Sequence, residues 1–202
     1  SDKGYHHYAF VADMPGIAHN PGLAIFSKYP ILNSGVVWSN EGTVNAGIFA
    51  DILKGTDTLR IYNVHLESMD LRLRRLRTAD QYKSKLSRTL ANLRDGARSR
   101  AIQVDKLIEH TRQCPYPFIL CGDFNETPYS YNYIQLRQAF NNTFEEAGNG
   151  FGFTFNSKLF FLRIDHQFYS PQIIPVGFRV DKSIRTSDHF PTRGYYKLHL
   201  SE

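Results

Sequence analysis

Four short polar clusters end or interrupt apolar runs in this 202-residue chain: Asn63-Val64-His65, Gly122-Asp123-Phe124-Asn125, Ile164-Asp165-His166 and Ser187-Asp188-His189-Phe190-Pro191. In extended backbone alternate side chains share a face, so Asp123 and Asn125 lie together while Phe124 points to the other side. A carboxylate there can orient or deprotonate a water, and an amide can donate to a developing oxyanion. Taken alone, the tetrapeptide reads better as an Asx-rich turn after a strand. Asn63 and His65 repeat the geometry, with Val64 and Leu66 on the opposite face. Asp165 sits among Phe, Leu and Ile, and a buried carboxylate is costly unless a cation, a metal or a hydrogen-bond donor meets it. A histidine would serve, and His189 is available. Asp188 and His189 are adjacent, so both can face one site only if residues 187–191 form a loop, which Pro191 favours.

The elements that must position these groups follow from pattern. Gly22–Ser27 and Val44–Leu53 read as strands closed by Lys28-Tyr29-Pro30 and by a turn over Gly55–Asp57, and Leu59–Leu66 reads as the next strand. From Ser68 to Gln113 the chain has no proline and reads as helical. Ala101, Val104 and Ile108 fall on one face, with Gly96 marking a boundary between two helices. Pro115 and Pro117 end that region, and Phe118–Cys121 reads as a fully buried strand. Ser130 is placed to cap a helix running to about Phe140. Phe151–Phe155, Phe160–Tyr169, Ile173–Val180 and Gly194–Leu200 read as further strands. Strands at both ends with helices between predict one α+β domain over residues 1–202, with sheets packed face to face and helices outside.

Composition excludes several classes. Hydrophobic residues make up 42% and charged residues 21%, which is globular rather than disordered or fibrous. Two cysteines, Cys114 and Cys121, make no disulfide scaffold; one bridge between them stays open, and two buried thiols is the favoured reading. No apolar run reaches the roughly 20 residues of a membrane span, and the N-terminus lacks the apolar core of a signal peptide. With no initiator Met, the chain reads as an excised piece of a longer protein, so its compartment stays open. The net charge of +5 is local: residues 68–112 hold twelve Lys/Arg against five acids, an excess of +7 that leaves −2 elsewhere. That segment reads either as an anion-facing patch or as a solvated helical face. Its near lack of aromatic residues, Tyr82 apart, weakens a single-stranded nucleic-acid reading.

Taken together and in order, the four clusters resemble the endonuclease/exonuclease/phosphatase superfamily, whose fold is that of deoxyribonuclease I. Gly22-Leu23-Ala24-Ile25-Phe26-Ser27-Lys28-Tyr29-Pro30-Ile31 and Thr127-Pro128 match as well, so the resemblance runs from about Pro21 to Leu200. It implies a four-layer α/β/β/α sandwich of two mainly antiparallel sheets. It implies a metal-dependent phosphoesterase in which Asp123 activates the attacking water and Asn125 holds phosphoryl oxygens. His189 stabilises the scissile phosphate and Asp165 fixes its tautomer. His65 contacts the phosphate on the leaving-group side with Asn63 beside it, and Asp188 is a ligand of Mg²⁺ or Mn²⁺. Tyr129, Tyr131 and Tyr133 follow the Asp/Asn pair and can line a substrate pocket. Tyr133, three residues before Leu136 and seven before Phe140, is also placed to pack its helix.

The sequence departs from the superfamily at its start. Members carry two earlier strands, the second ending in a Gln-Glu whose carboxylate binds metal, and nothing before Pro21 matches either. The expectation is therefore an N-terminally incomplete domain, a weak metal site and poor turnover until upstream sequence is restored. The substrate carries phosphate, whether nucleic acid, phospholipid or sugar phosphate, and the chain is expected to be a monomer. A nuclease would set the basic segment against the site, whereas a lipid-directed enzyme would expose aromatic residues beside it. The alternative function is a non-catalytic binding module that keeps the fold.

Overall fold

The structure is a computed structural model that describes residues 4–14, 21–69, 79–157 and 159–198, with side chains of 79–92 left aside. Its elements run β1 (His6–Val11), β2 (Gly22–Ser27), β3 (Ile31–Ser39), β4 (Ala46–Lys54), β5 (Asp57–His65), α1 (Ala79–Arg112), β6 (Phe118–Asp123), α2 (Tyr131–Ala139), β7 (Asn141–Asn142), α3 (Thr143–Ala147), β8 (Asp165–Tyr169), β9 (Ile173–Val180) and β10 (Thr192–Leu198). Six strands form one sheet in the order β3-β4-β5-β6-β8-β7. Its neighbours pair antiparallel except β5 and β6. A parallel pair needs a crossover, and the segment containing α1 supplies it.

The two faces of this sheet are covered differently. Tyr62, Val64, Leu66, Leu120 and Phe168 meet Val104 and Leu107 of α1 and Tyr133 and Leu136 of α2 in the main core. The other face packs Ile48, Ala50 and Ile52 of β4 against Ile25 of β2. Two antiparallel ribbons, β1–β2 and β9–β10, make that second layer. Asn63 Nδ2 ties the layers by donating to the Ala24 carbonyl at 3.1 Å. Tyr196 Oη does the same, donating to Gln167 Oε1 at 2.6 Å. The expected α+β architecture of packed sheets with helices is thus present, its second sheet split into ribbons.

Several local expectations hold. Lys54 pairs with Asp57, so Gly55 and Thr56 form a two-residue turn, and Gly55 takes φ +66°. Ser130 caps α2, its Oγ accepting from Tyr133 N. Both cysteines are free, though each is half-buried rather than fully buried.

Others are corrected. The helix runs unbroken through Gly96, because that position needs space rather than a break. A Cβ there would lie 3.3 Å from the Ser68 carbonyl oxygen and 3.2 Å from the Arg100 guanidinium. The face α1 buries is also partly polar: Arg100, Gln103 and Thr111 are buried with Val104 and Leu107. β1 and β3 form where no strand was expected. Residues 151–155 are loop apart from a single bridge from Phe155 to His189, and the strand expected from Phe160 begins only at Asp165. Of the basic segment, residues 70–78 lie outside the described residues. Among the described residues, no helix is long and apolar enough to cross a membrane.

Candidate active site

Strand register builds the site. His65 pairs with Asp123, and Asp123 pairs with Asp165, so three chemistry-bearing residues stand in one row across β5, β6 and β8. The row lies at the last residue of β5, the last of β6 and the first of β8. Gly122 makes it possible. It holds φ +143°, and a Cβ would fall 1.9 Å from the Val64 carbonyl oxygen. Only a residue without a side chain lets β6 approach β5 this closely.

His189 arrives from the 187–191 loop to complete the group. Its Nδ1 donates to Asp165 Oδ2 at 2.8 Å. Its Nε2 stands 3.7 Å from Asp123 Oδ2, and His65 Nε2 approaches the same oxygen at 3.8 Å. The Phe155 ring stands edge-on to the imidazole, centroids 5.1 Å apart. Asp123 Oδ1 accepts the Asn125 backbone N–H at 2.8 Å, which fixes the carboxylate.

Two residues brace this arrangement without any signal in the sequence. Asn45 Oδ1 accepts from His65 Nδ1 at 3.0 Å, while its amide donates to Glu67 Oε2 at 2.8 Å. That network assigns the His65 proton to Nδ1 and leaves Nε2 bare toward Asp123. Thr154 Oγ1 accepts the backbone N–H groups of Ile164 and Asp165, and its carbonyl accepts from Phe190 N at 2.7 Å. Thr154 therefore clamps both sides of the Asp165–His189 pair. Both residues act through hydrogen bonds set by tertiary contact, which spacing along the chain does not encode.

The remaining expected residues fall in different places. Phe124 enters the core as its alternation requires. Asn125 leaves the extended conformation at φ +48° and donates one amide hydrogen to the Leu66 carbonyl at 3.1 Å, fastening the site loop to the end of β5. The Asn63 amide is spent on the interlayer bond to Ala24 rather than aimed at Asp123. Asp188 is exposed, with Ser187 Oγ donating to it at 3.2 Å, and its charge reaches both Asp123 and His189. Tyr129 and Tyr131 are 92% and 70% exposed and free for a ligand, whereas Tyr133 is 2% exposed and packs on Phe168 and His166.

His166, adjacent to the row, faces the helix side instead. It is 2% exposed, and its Nε2 donates to the Glu126 carbonyl at 2.7 Å, while Nδ1 has no partner among the described residues. Behind it, Glu126 accepts from Arg100 Nε and Asn132 Nδ2, both at 2.6 Å, and Arg100 also donates to the Glu67 carbonyl. These bonds anchor the loops after β5 and β6 to α1.

Electrostatics separates the roles. Burial, with the Asp165 charge, pushes the Asp123 carboxyl up to about 7. Burial alone would lower His189, but its bond to Asp165 and the charges of Asp165, Asp123 and Asp188 outweigh this and raise it to about 9. Burial and the nearby His189 charge lower His65, which favours its neutral form. At neutral pH the row thus presents an imidazolium N–H beside a carboxyl poised between its two forms.

Asp123, Asp165 and His189 bring potential ligand atoms within 4.8 Å of one another, a spacing that suits a divalent cation. Asp165 and His189 already satisfy each other. Asp188, exposed on the adjoining loop, lies outside that group.

The profile described as the Endonuclease/Exonuclease/phosphatase family matches residues 2–189. Among curated proteins, none matches the chain. Solved structures share the fold at low identity. The human Nocturnin catalytic domain with bound sulfate is 19% identical at a TM-score of 0.66, covering 96% of this chain and 73% of its own. An endonuclease/exonuclease/phosphatase from Bacteroides vulgatus is 16% identical at 0.65, covering 96% and 77%. A mannosyl-6-phosphatase of Bacteroides thetaiotaomicron is 17% identical at 0.62, covering 97% and 78%.

Proposed function

The chain belongs to the endonuclease/exonuclease/phosphatase family, and on that premise we propose that it hydrolyses a phosphate ester by direct attack of water. The observation that carries this reading is the row His65–Asp123–Asp165 closed by His189. Asp123 takes the proton of the attacking water. Its pKa of about 7 makes it a base matched to neutral pH. His189, held in one tautomer by Asp165, donates Nε2–H toward the phosphoryl oxygens as negative charge builds. His65, neutral and fixed by Asn45, serves the leaving-group side, and the second amide hydrogen of Asn125 is available to a phosphoryl oxygen. Tyr129 and Tyr131 flank the substrate.

Mg²⁺ or Mn²⁺ suits the carboxylate oxygens of Asp188, leaving Asp123 as the base, and would supply charge stabilisation on the phosphate. Of the structures above, one is named a mannosyl-6-phosphatase and the Nocturnin domain holds a sulfate anion, and the two stand at similar distance from this chain.

The test is hydrolysis of bis(p-nitrophenyl) phosphate and p-nitrophenyl phosphate with Mg²⁺, with EDTA, and with Asp123→Asn. EDTA and the substitution should each lower turnover by about a hundredfold or more, the usual scale of a lost general base. Full turnover by Asp123→Asn would remove Asp123 from its role. Binding without hydrolysis would instead favour a non-catalytic module.

A further inference from the structure

We propose a second ligand site, for an apolar carboxylate, in a phenylalanine trough that backs onto the loop of His189, so that filling the trough shifts the loop. The site stands whether or not the row hydrolyses phosphate. The trough encloses about 910 Å³ and is lined by Phe144, Phe151, Phe153, Phe160, Phe178 and Phe190. That volume is of ligand size. Its floor is built in advance. The Phe144 ring has the Arg163 guanidinium over its face at 3.9 Å and meets Phe178 edge-on at 87°. A Cβ at Gly148 or Gly152 would fall 2.4 or 2.3 Å from that ring, so the backbone is drawn tight against it.

A hydrocarbon body with a negative head fits this lining. Phe151 is 80% exposed and Phe160 65%, and a cluster of exposed apolar side chains rimming a cavity marks a binding surface. Phenylalanine rings offer no hydrogen bond, so the body they hold is apolar. The charged residues of the lining, Arg179 and Lys182, are both cationic. Strand pairing sets Arg179 directly across from Arg193, and like charges in that relation repel. Asp181 Oδ2 accepts from Arg193 at 2.7 Å, which satisfies one of the two. Among the described residues, neither Arg179 nor Lys182 forms such a pair. A carboxylate brought by a ligand would meet the Arg179 fork and offset the repulsion. A cation of the same length would be turned away.

No lining residue belongs to the catalytic row, so the two sites are separate, but they share a wall. Residues 153–156 present Phe153 and Asn156 to the trough and Thr154 and Phe155 to the row. Asn156 holds the loop of His189 by two bonds, its backbone N–H donating to the Asp188 carbonyl at 2.6 Å and its Nδ2 to the Ser187 carbonyl at 3.2 Å. Phe190, also in the lining, follows His189 directly and donates its N–H to the Thr154 carbonyl at 2.7 Å. A ligand packed on Phe153 and Phe190 therefore presses on the frame that sets the His189 imidazole.

The test is calorimetric titration of the 202-residue chain with decanoate and with decylammonium, each below its micelle concentration. Decanoate should bind tighter by about tenfold or more, the scale of one charge-assisted hydrogen bond. Arg179→Gln with Lys182→Gln should abolish that preference, and Phe151→Ser with Phe160→Ser should weaken both ligands. All four side chains are exposed, so both double variants are compatible with folding. At saturating decanoate the imidazole resonance of His189 should move in proton NMR. Decylammonium binding as tightly as decanoate, a preference that survives loss of the two cations, or binding indifferent to the phenylalanine substitutions would overturn the site. A His189 resonance unmoved at saturation would overturn its link to the loop. Absence of hydrolysis in every phosphate assay, with these binding results intact, would count against the phosphoesterase reading alone.

Discussion

At the scale of single residues, the site divides into groups that do chemistry and groups that hold them. In the proposed mechanism Asp165 belongs to the second kind, since its contact is with His189. Asp165→Asn removes the charge that overcomes burial, so the His189 pKa should fall from about 9 toward or below its ordinary value, as read by proton NMR of the imidazole. Turnover should fall on the order of a hundredfold with little change in folding. His166 gives a prediction of another sort. Its Nδ1 is buried without a partner among the described residues, and burial pushes its pKa down to about 4. Above the unfolded value near 6.5 it is neutral in both states and costs nothing. As pH falls from 6.5 to 4, the unfolded chain gains a proton that the folded chain refuses, so stability drops by roughly 3 kcal/mol. Asp123 and His189 titrate with opposite or different sense, so the comparison must isolate His166: urea unfolding of the protein and of His166→Gln should diverge over that interval, in favour of the variant. The sequence announced Asp123, Asp165 and His189 because each is a polar residue at the end of an apolar run. It was silent on Asn45 and Thr154, whose roles exist only once distant strands meet.

At the scale of elements, a pairing register turns separate motifs into one site. Gly122→Ala would drive a methyl group against the Val64 carbonyl, and the left-handed φ would resist it as well. Stability should fall by about 2–3 kcal/mol in thermal unfolding, and turnover should fall further than that loss explains, because Asp123 moves relative to His65. Alternation and proline placement made β2, β4, β5, β6, β9 and α2 legible. β1 escaped because its outer face is exposed and its pattern mixes histidine and tyrosine with apolar residues. β3 escaped because Asn33-Ser34-Gly35 interrupts its apolar run. Gly96 misled in the opposite direction: glycine inside a helix usually signals weakness, and here it signals a neighbour pressed close.

For the whole molecule, charge and surface lie on different sides. The described basic residues ride on α1 behind the main sheet, and several are paired, Arg98 with Asp95 and Arg112 with Glu109. Reversing Arg94 and Arg98 to Glu should therefore leave hydrolysis of a small soluble phosphodiester within about twofold, measured at 0.15 M salt, where exposed charges beyond roughly 8 Å are screened. A steep loss would place that face against the substrate. The local +7 was plain in the sequence, but the side of the sheet it would occupy depended on the α1 crossover between parallel strands, a matter of topology rather than composition. The same row across β5, β6 and β8 also fixes a timetable. Asp123 emerges during synthesis before Asp165, and His189 follows 24 residues after Asp165. A nascent chain halted at β6 has a sticky strand edge and no means of hydrolysis. The proposed hydrolysis needs β8 and the His189 loop as well as β6, so a chain halted before them lacks half of the row.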